Sequence, residues 1–327
     1  MNSRRPIAFS PGIYEHAAAL IGENPCAVSK DANLLFHAQS AAWQRYQHPM
    51  VVAGIDVYNV EPEVHGAGLD SPSGSGVPSI VSHPFSSVDA LLGIPAPDPS
   101  RDGRMPMILG VAQRLAGECA PATVFVSMCG PLAFANGLVG MDEVLCTMME
   151  DPALVRKALV RLAESQETYV RAILSAGARP LIFESGASPP LLPPALFSEI
   201  EAPALGRLFE VCRAAGEPAP ACILGGDALP IFPALAALSP GFLICPSETD
   251  QPGFVQAAEA FPGIAVRINM PVAALLESDW EKTARVADMA MALARRLPLG
   301  SVGTGVVPFD ANPDLLIRLR DYVQQTP

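Results

Sequence analysis

The sequence predicts an α/β fold built on one parallel sheet, and three observations predict it. Short apolar runs recur along the chain, longer segments with helical periodicity separate them, and polar or ionisable residues cluster directly after the runs. Strand, helix, strand in repetition places helices outside a parallel sheet, because each crossover must return the chain to the end where the previous strand began. A (β/α)8 TIM barrel typically takes about 250 residues or more, so residues 1–327 read as a single domain. Periodicity alone leaves a closed barrel and an open doubly wound sheet both available.

Taken in order, Asp31 opens a helical pattern over 31–46 as an N-cap, and the run 51–56 follows as the first clear strand. Residues 66–104 are dominated by Gly, Ser and Pro and read as a long excursion over the barrel mouth, since a loop of this length in a compact domain is usually a functional lid. Within it, 79–81 is the candidate for an eighth strand. Strands are then expected at 123–129, 181–185, 219–224, 242–245, 264–269 and 300–304. Helices are expected at 142–175, 194–215, 230–238 and 279–297, with Asp or Ser at several starts and Gly near several ends.

Half of the residues are hydrophobic and 17% are charged, so a large core can be buried. Acids outnumber bases 33 to 21, a net charge of −12, with no run of Lys or Arg. Nucleic acid and anionic membrane are therefore poor partners. No apolar stretch reaches the roughly 18–20 residues needed to span a bilayer, and Arg4-Arg5 is not followed by a signal-like segment, so a cytoplasmic location is expected. The seven cysteines are scattered without a Cys-x-x-Cys pair, which argues against a disulfide framework and a zinc ribbon and for small core residues.

In a parallel barrel all strand C-termini share one rim. The residues expected there are Asp56, Asn59, Glu61, Glu63 and His65, then Cys129-Gly-Pro131, Glu184 to Ser188, Cys222 with Gly225-Gly226-Asp227, Cys245 with Glu248, Asn269, and Gly303-Thr-Gly305. Thiols, carboxylates and a histidine around one rim form a set capable of thiol and metal chemistry. Glu61 and Glu63 are two apart, so in an extended segment both face one way and serve as an acid–base pair or as metal ligands. Asp227 is either a ligand-facing residue beside two glycines or the cap of the helix near Leu229. The Gly303-Thr-Gly305 turn is either a plain tight turn or a phosphate cradle.

The stretch Asp56-Val-Tyr-Asn59-Val-Glu61-Pro-Glu63-Val-His65-Gly66 resembles the Val-Glu-Ala-Glu-Ala-x-Gly segment of the uroporphyrinogen decarboxylase superfamily, in its methylcobamide:thiol methyltransferase branch. The resemblance extends over roughly 30–325. The segment from Lys30 to the Gln47-His48-Pro49 end looks like the helix before the first barrel strand. Cys129-Gly130-Pro131 resembles the Gly-Pro-x-x-Leu/Ala turn, Glu184 to Ser188 the Asp-Pro-x-Ala-Ser turn, and Arg267-Ile-Asn269 the Val-Asn strand end. The resemblance implies a closed (β/α)8 barrel of the uroporphyrinogen decarboxylase type and methyl transfer between a corrinoid, or a small methylated substrate, and a thiolate or pterin.

The departures limit what carries over. In the thiol methyltransferases zinc is held by His-x-Cys and a late Gly-Cys turn, whereas here Pro220-Ala221-Cys222 and Gly303-Thr-Gly305 occupy those places and only Cys222 remains. A substitute zinc set would join Cys222 to His65 and Glu61 or Glu63, or to Cys129; the alternative is a metal-free pocket. Zinc matters in such enzymes because coordination turns a thiol with a pKa near 8.5 into a thiolate. The arginine-rich signature that holds uroporphyrinogen is missing, and an acidic chain repels an octa-anionic porphyrinogen. Glu63-Val-His65-Gly-Ala-Gly68 resembles the corrinoid signature Asp-x-His-x-x-Gly without the domain that goes with it, so a corrinoid is expected on a partner protein.

On this basis Glu61, Glu63, Glu184 and Cys222 are the expected catalytic residues, and Asp56, Asn59, Cys129, Asp227 and Asn269 are expected to bind a small-molecule substrate. Cys222 and His65 are the candidate metal ligands. Two other functions stay open: metal-independent decarboxylase or lyase chemistry on a small acid through the rim glutamates, and a non-catalytic subunit that binds a methyl carrier.

Overall fold

The computed structural model describes residues 6–277 and 279–326; Arg4 and Arg5 lie outside the described residues. Eight strands form the barrel: β1 (Phe9–Gly12), β2 (Met50–Val52), β3 (Thr123–Cys129), β4 (Arg179–Glu184), β5 (Ala221–Leu224), β6 (Phe242–Cys245), β7 (Ala265–Met270) and β8 (Gly300–Val306). They are hydrogen-bonded in the order β1-β8-β7-β6-β5-β4-β3-β2, and every ladder is parallel. From β2 to β8 consecutive strands are neighbours, β8 pairs back to β1, and β1 and β2 stand at the two ends of a nearly closed ring. This is the expected (β/α)8 barrel.

The eighth strand is not where the sequence suggested. Phe9–Gly12 supplies it, a four-residue piece in which Pro11, with Pro6 just before it, hides the strand pattern. Residues 79–81 belong instead to a small hairpin in which Ile80–Ser82 pairs antiparallel with Gly68–Leu69. Val81 there is 64% exposed, so this segment has no buried face with which to join a barrel. The expected helix over 142–175 is three helices, Met141–Glu150, Pro152–Ser165 and Glu167–Ser175. The Asp151-Pro152 step forces the first break, and Asp151 caps the next helix by accepting from Leu154 N–H.

Register fixes which side chains face the inside. Leu181 pairs with Ala221, which in turn pairs with Phe242, and these join Val52, Phe125, Phe183, Ile223 and Ile244 in a small apolar plug within the barrel. The alternate residues, Ile182, Cys222 and Leu243, face the surrounding helices and form part of the main core. By the same period of two, Arg267 and Asn269 face inward on β7 while Val266 and Ile268 face the helices. A charged residue in the interior is thus set by strand parity.

Candidate active site at the barrel mouth

Two adjoining cavities open at the C-terminal end of the strands. The inner one, of about 190 Å3, is lined by Gly12, Tyr14, Tyr58, Ser185, Glu248, Arg267, Asn269 and Gly305 among others. The outer one, of about 390 Å3, lies between the strand-end residues Ile55 to Asn59 and the hairpin residues Val77 to Ile80. Tyr14, Val57, Tyr58 and Val306 line both and form the wall between them. The 66–104 excursion therefore walls the outer cavity, held there by Asn59 Nδ2, which donates to Pro78 O at 2.6 Å.

The inner cavity is aromatic on one side and cationic on the other. Tyr14 and Tyr58 both meet Phe183 edge-on, with centroids 5.9 and 5.8 Å apart, so one buried ring sets the pitch of both phenols. Burial pushes the Tyr14 phenol up to about 12 and the Tyr58 phenol up as well, which makes both hydrogen-bond donors rather than bases near neutral pH. Tyr58 OH and Ser185 Oγ share a short hydrogen bond across the cavity. Arg267 Nε donates to Asn269 Oδ1 at 2.9 Å. Glu248, at the lip, is exposed.

The expected site residues divide into those at the cavities and those behind them. Asp56 and Asn59 line the outer cavity and Asn269 the inner one. Asp56 is 5% exposed and receives both terminal nitrogens of Arg104, at 2.9 and 2.6 Å, while Arg104 Nε donates to Glu63 at 2.6 Å. The extended geometry expected for Glu61 and Glu63 is not observed, because residues Val60–Val64 form a short helix. Two positions on a helix diverge by about 200°. Glu63 therefore turns to Arg104, and Glu61 turns inward to accept from Cys129 N–H at 2.8 Å and from Gln166 Nε2. Burial pushes the Glu61 carboxyl up to about 7.

Glu184 shares the outward parity of Ile182. Its Oε1 accepts from Ala133 N–H at 2.9 Å, capping the helix Pro131–Val139 whose own N-cap, Gly130, has no side chain to do so. Gly130 is also required there, since a Cβ would fall 1.6 Å from Glu184 Oε2. Burial pushes Glu184 up to about 8 and raises the neighbouring Glu201 further, so this carboxyl pair holds at least one proton at neutral pH. Cys222 is not a rim residue. It is fully buried on the helix side of β5, where burial and the two nearby glutamates raise its thiol pKa. Cys129 is likewise buried, its Sγ donating to Tyr58 O at 3.3 Å.

His65 caps the Val60–Val64 helix with its ring 5.6 Å from Phe134, and burial lowers its pKa. Asp227 takes neither expected role: the following helix, Phe232–Ala237, has Ile231 as its N-cap and no side-chain cap, and Asp227 lines neither cavity but accepts from Thr249 Oγ1 at 2.6 Å, a hydroxyl that in turn accepts from Leu229 N–H at 3.1 Å. Among the described residues, no group of three or more His, Cys, Asp and Glu side chains is placed to hold a metal ion. Zinc takes three or four protein ligands. The residues present do not fit it.

The sequence pattern of a uroporphyrinogen decarboxylase family model matches residues 4–306. The chain belongs to the uroporphyrinogen decarboxylase family. No curated protein sequence matches it. Among solved structures, a methyltransferase from Methanosarcina mazei superposes with a TM-score of 0.83 at 18% identity, covering 99% of this chain and 94% of that one. At that identity the likeness extends to the fold. No single helix among the described residues is long and apolar enough to cross a membrane.

Sequence reasoning missed Tyr14, Arg104, Gln166 and Glu201. Tyr14 follows the strand that was not recognised, Arg104 ends the 66–104 excursion at the start of the helix Met105–Glu118, Gln166 sits at the junction of two helices, and Glu201 ends a helical turn; none is next in sequence to the carboxyl it meets. Arg267 carried a usable signal: an arginine between Val266 and Ile268 in an apolar strand, with an asparagine two positions on.

Proposed function

We propose that this member of the uroporphyrinogen decarboxylase family is a methyltransferase that moves a methyl group between two bound molecules, a donor in the outer cavity and a small acceptor in the inner one. The observation that carries this is the pair of adjoining cavities with a shared wall of Tyr14, Val57, Tyr58 and Val306. A transfer needs two molecules held end to end, whereas a decarboxylation needs one. The donor is a corrinoid carried by a partner protein or a small methylated compound, and the acceptor is a thiol or a pterin. The name of the Methanosarcina mazei structure supports the same class of reaction.

In the proposed step the acceptor sulfur or nitrogen forms a bond to the methyl carbon as the donor–methyl bond breaks, with the electron pair leaving on the donor. Glu248 takes the acceptor's proton at the cavity lip. Tyr58 and Ser185 orient the acceptor, and the aromatic wall keeps the approach in line and dry. The buried thiols Cys129 and Cys222 and the carboxylates Glu61, Glu63 and Glu184 line neither cavity. Lyase chemistry through those glutamates therefore has less geometric support than transfer.

The test is incubation with methylcobalamin and a panel of small thiols and a reduced pterin, with the methylated product followed by mass spectrometry. Enzyme-dependent thioether or methylpterin supports the proposal. Absence of any methylated product, alongside carbon dioxide release from a small acid, would transfer the assignment to a decarboxylase; binding of methylcobalamin without turnover would make the chain a carrier subunit.

A further inference from the structure

A third cavity, of about 460 Å3, opens outside the barrel mouth, between the segment that follows β7 and the segment that follows β8. It shares no lining residue with the two cavities at the mouth. Leu275, Leu276, Trp280 and Leu315 form its apolar side, and Leu276 is 59% exposed, so an aliphatic and aromatic surface stands open to solvent.

Four charged side chains, Glu277, Asp310, Asp314 and Arg318, complete the lining. Two of the acids are answered from outside the cavity, Asp314 by Arg45 at 3.1 Å and Glu277 by Lys282 at 3.3 Å. Asp310 and Arg318 remain. Among the described residues neither makes a hydrogen bond or an ion pair, and although they line one cavity no ion pair joins them.

The fold holds this uncompensated cation in place without neutralising it. The Arg318 guanidinium carbon lies over the Trp280 ring, 3.9 Å from its centroid. Stacking of this kind occupies the face of a guanidinium and leaves its N–H groups free to donate. Trp280 is fixed in turn by Tyr322, which meets it edge-on at 5.4 Å and donates its hydroxyl to Asp288 at 2.8 Å. Asp310 stands just before Asn312, whose Oδ1 accepts from Asp314 N–H at 2.9 Å and caps the helix Pro313–Gln325 that carries Arg318. One helix start therefore sets the spacing of the two opposite charges.

We infer that this cavity is a binding site for a small zwitterion with an apolar body, the chemistry of a free apolar amino acid. Its carboxylate is received by the Arg318 guanidinium, its ammonium by Asp310, and its side chain by the leucine surface. A purely anionic ligand leaves Asp310 facing a like charge, and a purely cationic one does the same to Arg318. The site is separate from the proposed methyl transfer and does not depend on it.

The test uses the fact that the chain has two tryptophans, Trp43 and Trp280. Trp43→Phe leaves Trp280 as the only indole, so fluorescence reports occupancy of this cavity. The full-length variant is titrated with leucine, with 4-methylpentanoate, which lacks the ammonium, and with 3-methylbutan-1-amine, which lacks the carboxylate. Leucine is expected to give a saturable change and to bind at least about threefold tighter than either analogue, the scale of one solvent-exposed ion pair.

In the same background, Asp310→Asn should abolish the preference for leucine over 4-methylpentanoate and keep the preference over the amine. Arg318→Gln should do the reverse. No saturable change with leucine, or binding no tighter than that of both analogues, would overturn the inference. So would an Asp310→Asn protein that still prefers leucine to 4-methylpentanoate. Asp310 is exposed, so that substitution spares the core. Calorimetric titration of the wild-type protein with the same three compounds decides the matter even where Trp43→Phe does not fold.

Discussion

The mouth of the barrel and the belt of carboxyls beside it hold similar residue types under opposite conditions. In the belt, Asp56 and Glu63 are answered by Arg104, Glu61 by Gln166 and Cys129 N–H, and Glu184 by a helix N-terminus. In the mouth, Arg267, Glu248 and the paired hydroxyls of Tyr58 and Ser185 face open space. Charges that are satisfied within the protein hold its elements together, and charges that are not are available for a ligand. The difference is one of partners, since both regions are close to the same strand ends.

Breaking the belt should therefore cost stability before it costs chemistry. Arg104→Ala removes the shared partner of Asp56 and Glu63 and leaves a carboxylate that is 3% exposed without compensation. A loss of about 3–5 kcal/mol is expected, read as a lower denaturation midpoint in urea. An unchanged midpoint would mean that the Arg104 network does not tie the Val60–Val64 helix to the strand end.

Changes at the mouth should behave the other way round. Glu248→Gln removes the proposed proton acceptor from an exposed position, so methyl transfer should fall by about 10²-fold with a melting temperature within about a degree of wild type. A large drop in melting temperature would place Glu248 in the belt's class, and full activity would remove it from the proposed step.

Glu184 sharpens the comparison through pH. Its folded pKa, about 8, lies above that of an unfolded glutamate, so the unfolded chain releases the proton first as pH rises. The resulting stability is fully present below the unfolded value near 4.5 and is lost as pH climbs through about 8; Glu61, at about 7, acts in the same direction. The melting temperature should fall by a few degrees between pH 5 and 8.5, measured calorimetrically. Glu184→Gln, which keeps the acceptor for Ala133 N–H without the charge, should flatten that slope; an equally steep slope in the variant would assign the effect elsewhere.

The sequence made the barrel legible because its strands and helices alternate with clear periods, and seven of the eight strands are where the apolar runs lie. The site was harder to read for two physical reasons. Local conformation changed the directions of side chains: the short Val60–Val64 helix separates Glu61 from Glu63, and strand parity turns Glu184 and Cys222 toward the helices. Long-range partners then decided their state, and nothing near Glu61 in sequence announces Gln166, 105 positions away. Asp56, Asn59 and Asn269 line the cavities because backbone position alone puts a strand-end residue at the rim.

Cys222 is the sharpest case, because its residue type suggested chemistry that its position does not support. A nucleophilic or zinc-bound thiol needs a lowered pKa and access to substrate. This one has a raised pKa, no exposure and a place in the apolar layer between β5 and its helices. Cys222→Ala should therefore leave methyl transfer and zinc content unchanged and lower stability by only about 1 kcal/mol, the loss of one small buried group. Activity assays and elemental analysis on the folded variant check this together. Lost turnover with wild-type stability would mean that the helix side of β5 takes part in the reaction, and the division between answered and unanswered groups would no longer mark out the active site.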